Sequence, residues 1–149
     1  MWKKYLRIFI IKTRKKFGGI VGMNSREKVK KANRIVVKVG TSTLTYENGN
    51  INLTRIEKLT RTLSDVMNSG KEVILVTSGA IGVGVSKLKL KEKPKTIREK
   101  QAVASVGQCE LMHIYSKFFG EYSNTVGQVL LTRDVIEDDH VRNNVCNTF

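Results

Sequence analysis

The chain has little of what marks a secreted, metal-binding or membrane-spanning protein. Only two of its 149 residues are cysteines, Cys109 and Cys146, and only two are histidines, His113 and His140. Because these four residues form no disulfide framework and no metal-ligand spacing, we expect reduced thiols, a cytoplasmic location and no metal site. No run of about 18 apolar residues occurs, so no membrane-spanning helix is expected.

Acidic residues are almost absent from the first part of the chain. Residues 1–34 contain twelve lysines and arginines but only one acid, Glu27, whereas residues 35–149 contain fifteen basic and twelve acidic residues. The net charge of +14 therefore belongs mainly to the N-terminal extension. Since nucleic-acid binding requires a basic face on the folded part, no nucleic-acid partner is expected.

The basic extension, residues 1–33, admits more than one interpretation. We expect it to be disordered or a misassigned leader, with Met23 as the natural start. A membrane-surface helix or a targeting segment stays open, because five apolar residues fall near one face of a helical wheel. These residues are Trp2, Leu6, Phe9, Ile10 and Phe17. Residues 34–149 are long enough for one ordinary domain.

The rest of the chain alternates between strand and helix patterns, which is typical of an α/β fold with a parallel sheet. Residues 35–39 and 72–77 are apolar and rich in β-branched residues, as buried parallel strands are. Between them an apolar face with a period of 3.6 predicts a helix, capped by Asn52 or Thr54 and ended by Gly70. That face consists of Ile56, Leu59, Leu63, Val66 and Met67.

The alternation continues to the end of the chain. A short helix is predicted from about Ala80, followed by a lysine-rich surface connector over residues 87–100. Two further helices, separated at Gly107, precede a third strand over residues 125–131 and the start of another helix. We therefore expect a three-layer αβα sandwich with a mainly parallel open sheet, truncated after about three strands.

The first candidate site lies at the end of the first predicted strand. Lys38 interrupts an apolar strand, and a buried lysine is costly unless an anion pairs with it. Gly40 would let backbone N–H groups approach a phosphate, and the hydroxyls of Thr41 and Ser42 would add donors. A neighbouring carboxylate could pair with Lys38 instead, so a structural role stays open at this point.

A second candidate site follows the strand over residues 72–77. Ser78 and Gly79 stand where this strand meets the helix near Ala80, and N–H groups at a helix start favour carboxylates or phosphates. The alternative is that Ser78 merely caps the helix. Because the carboxyl ends of parallel strands share one edge of a sheet, the two strand ends predict a single anion site.

Four segments together resemble the glutamate 5-kinases, a branch of the amino acid kinase family. They are residues 37–42 (VKVGTS), 76–81 (VTSGAI), 100–108 (KQAVASVGQ) and 127–133 (GQVLLTR). The resemblance covers about residues 33–149. Acetylglutamate kinases, aspartokinases and uridylate kinases share the lysine–glycine turn of the first segment, but do not usually share the TSGA and VGQ segments.

The resemblance implies an enzyme that uses ATP and Mg²⁺ to phosphorylate the side-chain carboxylate of L-glutamate, the first step of proline biosynthesis. Such a carboxylate is ionised at neutral pH, so the reaction needs no general base. The resemblance also implies a cytoplasmic homo-oligomer with proline as feedback inhibitor. The residues implied are Lys38 for catalysis, Lys38, Gly40, Thr41 and Ser42 for the phosphates, and Ser78, Gly79 and Ala80 for glutamate.

In this family the nucleotide-binding half and further glutamate-binding residues would lie beyond the position matching residue 149. We therefore expect the chain by itself to be an inactive fragment. Two alternatives stay open. One is a non-catalytic binding or oligomerisation module, and the other is a membrane-surface protein anchored by its basic extension.

Overall fold

The computed structural model describes residues 6–11, 31–47, 49–131 and 137–148, and the backbone alone of residues 6–11. Strands and helices alternate along these residues, which confirms the α/β class. In chain order the elements are β1 (Leu6–Ile11), β2 (Arg34–Val39), α1 (Thr41–Leu44), α2 (Leu53–Asn68), β3 (Glu72–Thr77), α3 (Ala80–Lys87), α4 (Ile97–Gly120), β4 (Gly127–Leu131) and α5 (Asp139–Thr148).

The strands form one sheet in the order β2-β3-β1-β4. Strands β2 and β3 pair in parallel, with Arg34 opposite Glu72 and Val39 opposite Thr77. Strand β1 pairs antiparallel with both β3 and β4. The three strands predicted from the sequence therefore run in the same direction, and the carboxyl ends of β2 and β3 lie together at one edge of the sheet.

Strand β1 is the main departure from the prediction. Its six residues were expected to be unstructured or helical, and for these six both expectations are wrong. Five of them are leucine, isoleucine or phenylalanine, which suit strands. The facing edges of β3 and β4 supply the backbone partners that such a segment needs. Met23 and most of the extension lie outside the described residues, so the leader hypothesis stays a prediction there.

The ends of α2 follow from local chemistry. Asn52 caps the helix, because its Oδ1 accepts a hydrogen bond of 3.0 Å from the Arg55 backbone N–H. Of the two predicted caps, Thr54 is therefore the wrong one. Gly70 adopts a φ of +88° just beyond the helix, a conformation that favours glycine. Its N–H donates to the Met67 carbonyl at 2.9 Å, which closes the last turn.

Helix α4 is one continuous helix, so the predicted separation at Gly107 is wrong. Its start is fixed by a capping box between Thr96 and Glu99. Gly107 is buried where α4 crosses α3, and a Cβ at this position would collide with the Ala80 carbonyl and the Gly84 backbone nitrogen. The glycine therefore serves a close crossing of two helices rather than a break in one.

The core lies on one face of the sheet. Val39, Val73 and Leu75 on this face pack with residues of α2 and α4, including the wholly buried Tyr115 and Phe119. Side chains alternate along β2, so Val36 and Lys38 point to the opposite face. Val36 is 62% exposed there. The described residues thus form the sheet and one helical layer of the predicted sandwich.

Candidate functional site

The two predicted strand-end turns lie side by side. The parallel register pairs Val39 with Thr77, the last residues of β2 and β3. Beyond the strands, the Thr41 hydroxyl donates a hydrogen bond of 2.9 Å to the Ser78 carbonyl. One direct bond therefore joins the Gly40 turn to the Ser78 turn, and the sequence-based expectation that these segments meet at one edge is confirmed.

Lys38 is exposed, so the expectation that it is buried is wrong. It shares its sheet face with Val36, which is 62% exposed. Its ammonium group lies close to the Gly40 turn, since a Cβ placed on Gly40 would lie 3.8 Å from Lys38 Nζ. Among the described residues no carboxylate pairs with Lys38. The ammonium group and the bare backbone of Gly40 together form a position suited to an anion.

Helix α1 follows directly and is held by its packing. Its last residue, Leu44, is buried, and a Cβ placed on Gly79 would lie only 2.8 Å from Leu44 Cδ1. The Thr43 N–H donates to the Gly40 carbonyl at 3.1 Å, which closes the turn. Ser42 stays exposed on the outer side of this helix. The packing of α1 on the start of α3 thus fixes the geometry of the Gly40 turn.

Ser78 is exposed and does not cap α3. The N-cap residue is Gly79, which makes no side-chain cap, and the Val83 N–H bonds to the Gly79 carbonyl at 2.9 Å. The alternative that Ser78 merely caps the helix is therefore wrong. Ser78 directly precedes the first N–H groups of α3, which have no acceptor within a helix. Such a group of donors suits a carboxylate.

A polar pair lies beneath the Ser78 turn. Thr77, the last residue of β3, and Tyr115 of α4 are both wholly buried. Burial raises the pKa of Tyr115 to about 12, while the nearby Thr77 side chain acts in the opposite direction. The sequence predicts that Tyr115 faces the core. The sequence does not indicate that the Tyr115 hydroxyl reaches the end of β3, because the position of this hydroxyl depends on how α4 crosses the sheet.

An open cavity of about 690 Å³ adjoins the Gly40 turn. It is lined by Ser42, Thr45, Tyr46, Glu47 and Arg55. Arg55 comes from the first turn of α2, and its Nη1 donates to the Ser42 carbonyl at 3.4 Å. This places a second cation next to the turn. Sequence reasoning missed it, since an arginine on a polar helix face has the pattern of an ordinary solvated residue.

No cysteine or histidine is among the described residues that line this cavity. Cys109, Cys146 and His113 are exposed, as expected for His113. The described residues contain no group of three or more His, Cys, Asp or Glu that could hold a metal ion. In the same part of the chain, no helix combines the length and apolar character needed to cross a membrane. Thr132 and Arg133 of the fourth resembling segment lie outside the described residues.

Paired anion-binding turns at the carboxyl ends of parallel strands are typical of α/β proteins that bind phosphorylated or carboxylate ligands. Residues 33–149 match the amino acid kinase family, and the chain belongs to that family. The resemblance drawn from the four segments is thereby confirmed.

Curated relatives narrow the comparison. The chain is 73% identical over 124 residues to a glutamate 5-kinase of Clostridium perfringens, and the match covers 83% of this chain but 46% of that protein. It is 67% identical over 124 residues to one of Listeria innocua, covering 83% and 45%. It is 63% identical over 124 residues to one of Enterococcus faecalis, covering 83% and 46%. The chain thus spans less than half the length of these relatives.

Proposed function

We propose that this chain forms the glutamate-binding half of a glutamate 5-kinase, which transfers a phosphoryl group from ATP to the side-chain carboxylate of L-glutamate. The observation that carries the proposal is the hydrogen bond from Thr41 to Ser78, which holds the two anion-binding turns side by side. High identity to the relatives named glutamate 5-kinase supports the choice of substrate.

The chemistry assigned to each turn follows from its charge. The Lys38 ammonium group neutralises charge on the transferred phosphoryl group, and the Gly40 turn with Ser42 supplies short-range donors. Ser78 and the backbone at Gly79 and Ala80 hold the glutamate. One glutamate carboxylate oxygen attacks phosphorus, the bond from phosphorus to the ADP oxygen breaks, and no proton has to be removed from the nucleophile.

The nucleotide and its metal ion fit this half only in part. The lysine and the glycine turn suit phosphate oxygens, whereas the described residues offer no acidic cluster for Mg²⁺. Magnesium would neutralise charge on the transferring phosphates when bound. We assign the remaining nucleotide contacts to the part of the relatives that this chain does not match. Proline inhibition, a homo-oligomer and a cytoplasmic location belong to the same proposal.

A titration of the 149-residue chain followed by amide NMR tests the assignment of the two turns. L-Glutamate is expected to shift the amide signals of Ser78, Gly79 and Ala80, and inorganic phosphate those of Gly40 and Ser42. Ser78→Ala removes one donor and should weaken the glutamate response about fivefold.

The matched control for this titration is Ser105→Ala, an exposed serine of α4. It should leave the glutamate response as in the wild type. Glutamate shifts confined to other parts of the chain, or an unchanged response in Ser78→Ala, would contradict the proposal.

A further inference from the structure

We propose that Thr41 is a positioning residue that fixes the Ser78 turn, and that its hydroxyl is not a phosphate ligand. The effect on substrate binding rests on the function proposed above. The family resemblance implies a phosphate contact for Thr41 instead. The hydrogen bond to Ser78 and the packing of the Thr41 methyl group point to the different role.

The hydroxyl of Thr41 has a single hydrogen, so it can donate only one hydrogen bond at a time. In the structure that hydrogen bond goes to the Ser78 carbonyl at 2.9 Å. An ionised phosphate oxygen accepts hydrogen bonds and donates none, so Thr41 cannot donate to it while the bond to Ser78 persists. Ser42 differs, because its exposed hydroxyl makes no hydrogen bond within the described residues.

The methyl group of Thr41 makes a separate contact, with α3. A Cβ built on Gly82 would lie 2.5 Å from Thr41 Cγ2, so the methyl group fills the space that the glycine leaves. Both branches of the side chain are therefore engaged by the same short stretch, one by Ser78 and one by Gly82. A β-branched side chain held at two points has its χ1 angle fixed.

The hydrogen bond to Ser78 also fixes a backbone donor. The peptide unit between Ser78 and Gly79 is planar, so its C=O and N–H point in opposite directions. Anchoring the Ser78 carbonyl on Thr41 therefore directs the Gly79 N–H away from Thr41. Without the anchor this peptide unit would be freer to rotate, and the donors assigned to glutamate would lose their common orientation.

Three variants of the full chain separate the hydroxyl from the methyl group. Thr41→Val keeps the shape and removes the donor, whereas Thr41→Ser keeps the donor and removes the methyl group. Thr45→Val is the matched control, because Thr45 follows α1 and its hydroxyl donates to the Thr41 carbonyl rather than to Ser78. Amide hydrogen exchange at Val83, whose N–H donates to the Gly79 carbonyl at 2.9 Å, and the NMR-detected affinity for L-glutamate are measured for each.

We expect Thr41→Val to speed exchange at Val83 about fivefold to tenfold, the scale of one neutral hydrogen bond, and to weaken glutamate binding by a similar factor. Thr41→Ser and Thr45→Val should stay within about twofold of the wild type in both measurements. Rescue by serine identifies the hydroxyl as the group that acts.

Unchanged exchange in Thr41→Val would overturn the inference, and so would equally fast exchange in Thr41→Ser. Faster exchange with unchanged glutamate affinity would overturn the positioning role in binding. Absence of any glutamate response in the wild type would count against the proposed function instead. The exchange rates, which need no ligand, would still decide the role of Thr41.

Discussion

Tyr115 makes the stability of the chain depend on pH in the alkaline range. Burial raises its pKa to about 12, against an ordinary value of 10.0. The neutral side chain therefore stabilises the folded state fully below pH 10, and this contribution is lost as the pH rises through the folded pKa. We expect Tyr115 to contribute a fall of about 1.4 kcal/mol per pH unit in this range, measured by urea unfolding at a series of pH values.

Tyr115→Phe should remove this part of the pH dependence, although it also deletes the contact with Thr77. Tyr122→Phe is the matched control, because Tyr122 is only half-buried and should leave the slope in place. The same slope in Tyr115→Phe as in the wild type would contradict the assignment.

Lys38 is the side chain on which phosphoryl transfer is proposed to depend most. The relevant protein joins residues 33–149 to the part of the Clostridium perfringens relative that follows the matched region. In that joined protein Lys38→Ala should lower kcat by roughly a hundredfold to a thousandfold, the scale of one lost charge-stabilising donor. Lys58→Ala, an exposed lysine of α2, is the control. Equal kcat values for the two variants would remove Lys38 from the mechanism.

At the scale of residues, the sequence indicates which side chains meet but not how they are used. Lys38 and Ser78 are found because each lies at the end of an apolar strand. The exposure of Lys38 depends on which sheet face is covered, and the sequence of β2 does not contain that information. The partner of Thr41 likewise depends on the parallel register of two strands separated by a helix.

Among the elements, the crossing of α3 and α4 depends on Gly107. A Cβ there would meet backbone atoms of Ala80 and Gly84, which cannot move aside as a flexible side chain can. Gly107→Ala should therefore destabilise the chain by about 3 kcal/mol, at the upper end for overpacking.

The matched control on the same helix is Gly120→Ala, where a Cβ would meet nothing within 4 Å. It should be neutral or stabilising by up to about 1 kcal/mol, since alanine has the higher helix propensity. Urea unfolding of both variants measures the difference. Equal stabilities would show that the helices do not cross as closely as described.

Element boundaries are predictable where local chemistry sets them. Asn52 and Gly70 bound α2 because a cap and a positive φ are properties of a few adjacent residues. The predicted helix break at Gly107 is wrong because a glycine at a helix end and a glycine at a helix crossing have the same sequence pattern. Strand β1 is missed for another reason: its partners, β3 and β4, are distant in the sequence, and only the assembled sheet brings them to it.

At the scale of the whole molecule, β1 closes the gap between two strands of the family-matched region. Deletion of residues 1–11 would remove it and leave the facing edges of β3 and β4 unpaired, and such edges promote association. We expect this variant to form larger oligomers, measured by light scattering after size-exclusion chromatography. Deletion of residues 1–5, which keeps Leu6–Ile11, is the control and should behave as the full chain does. Identical mass distributions for both deletions would contradict the pairing of β1.

The proposed role of the two joined turns is to bind and position substrate for phosphoryl transfer to glutamate. The most direct measurement is ADP release by the protein that joins residues 33–149 to the unmatched part of the Clostridium perfringens relative, with the unmodified relative as control. We expect ADP release that depends on L-glutamate. A folded joined protein that binds ATP but releases no ADP on addition of L-glutamate, while the relative does, would contradict it.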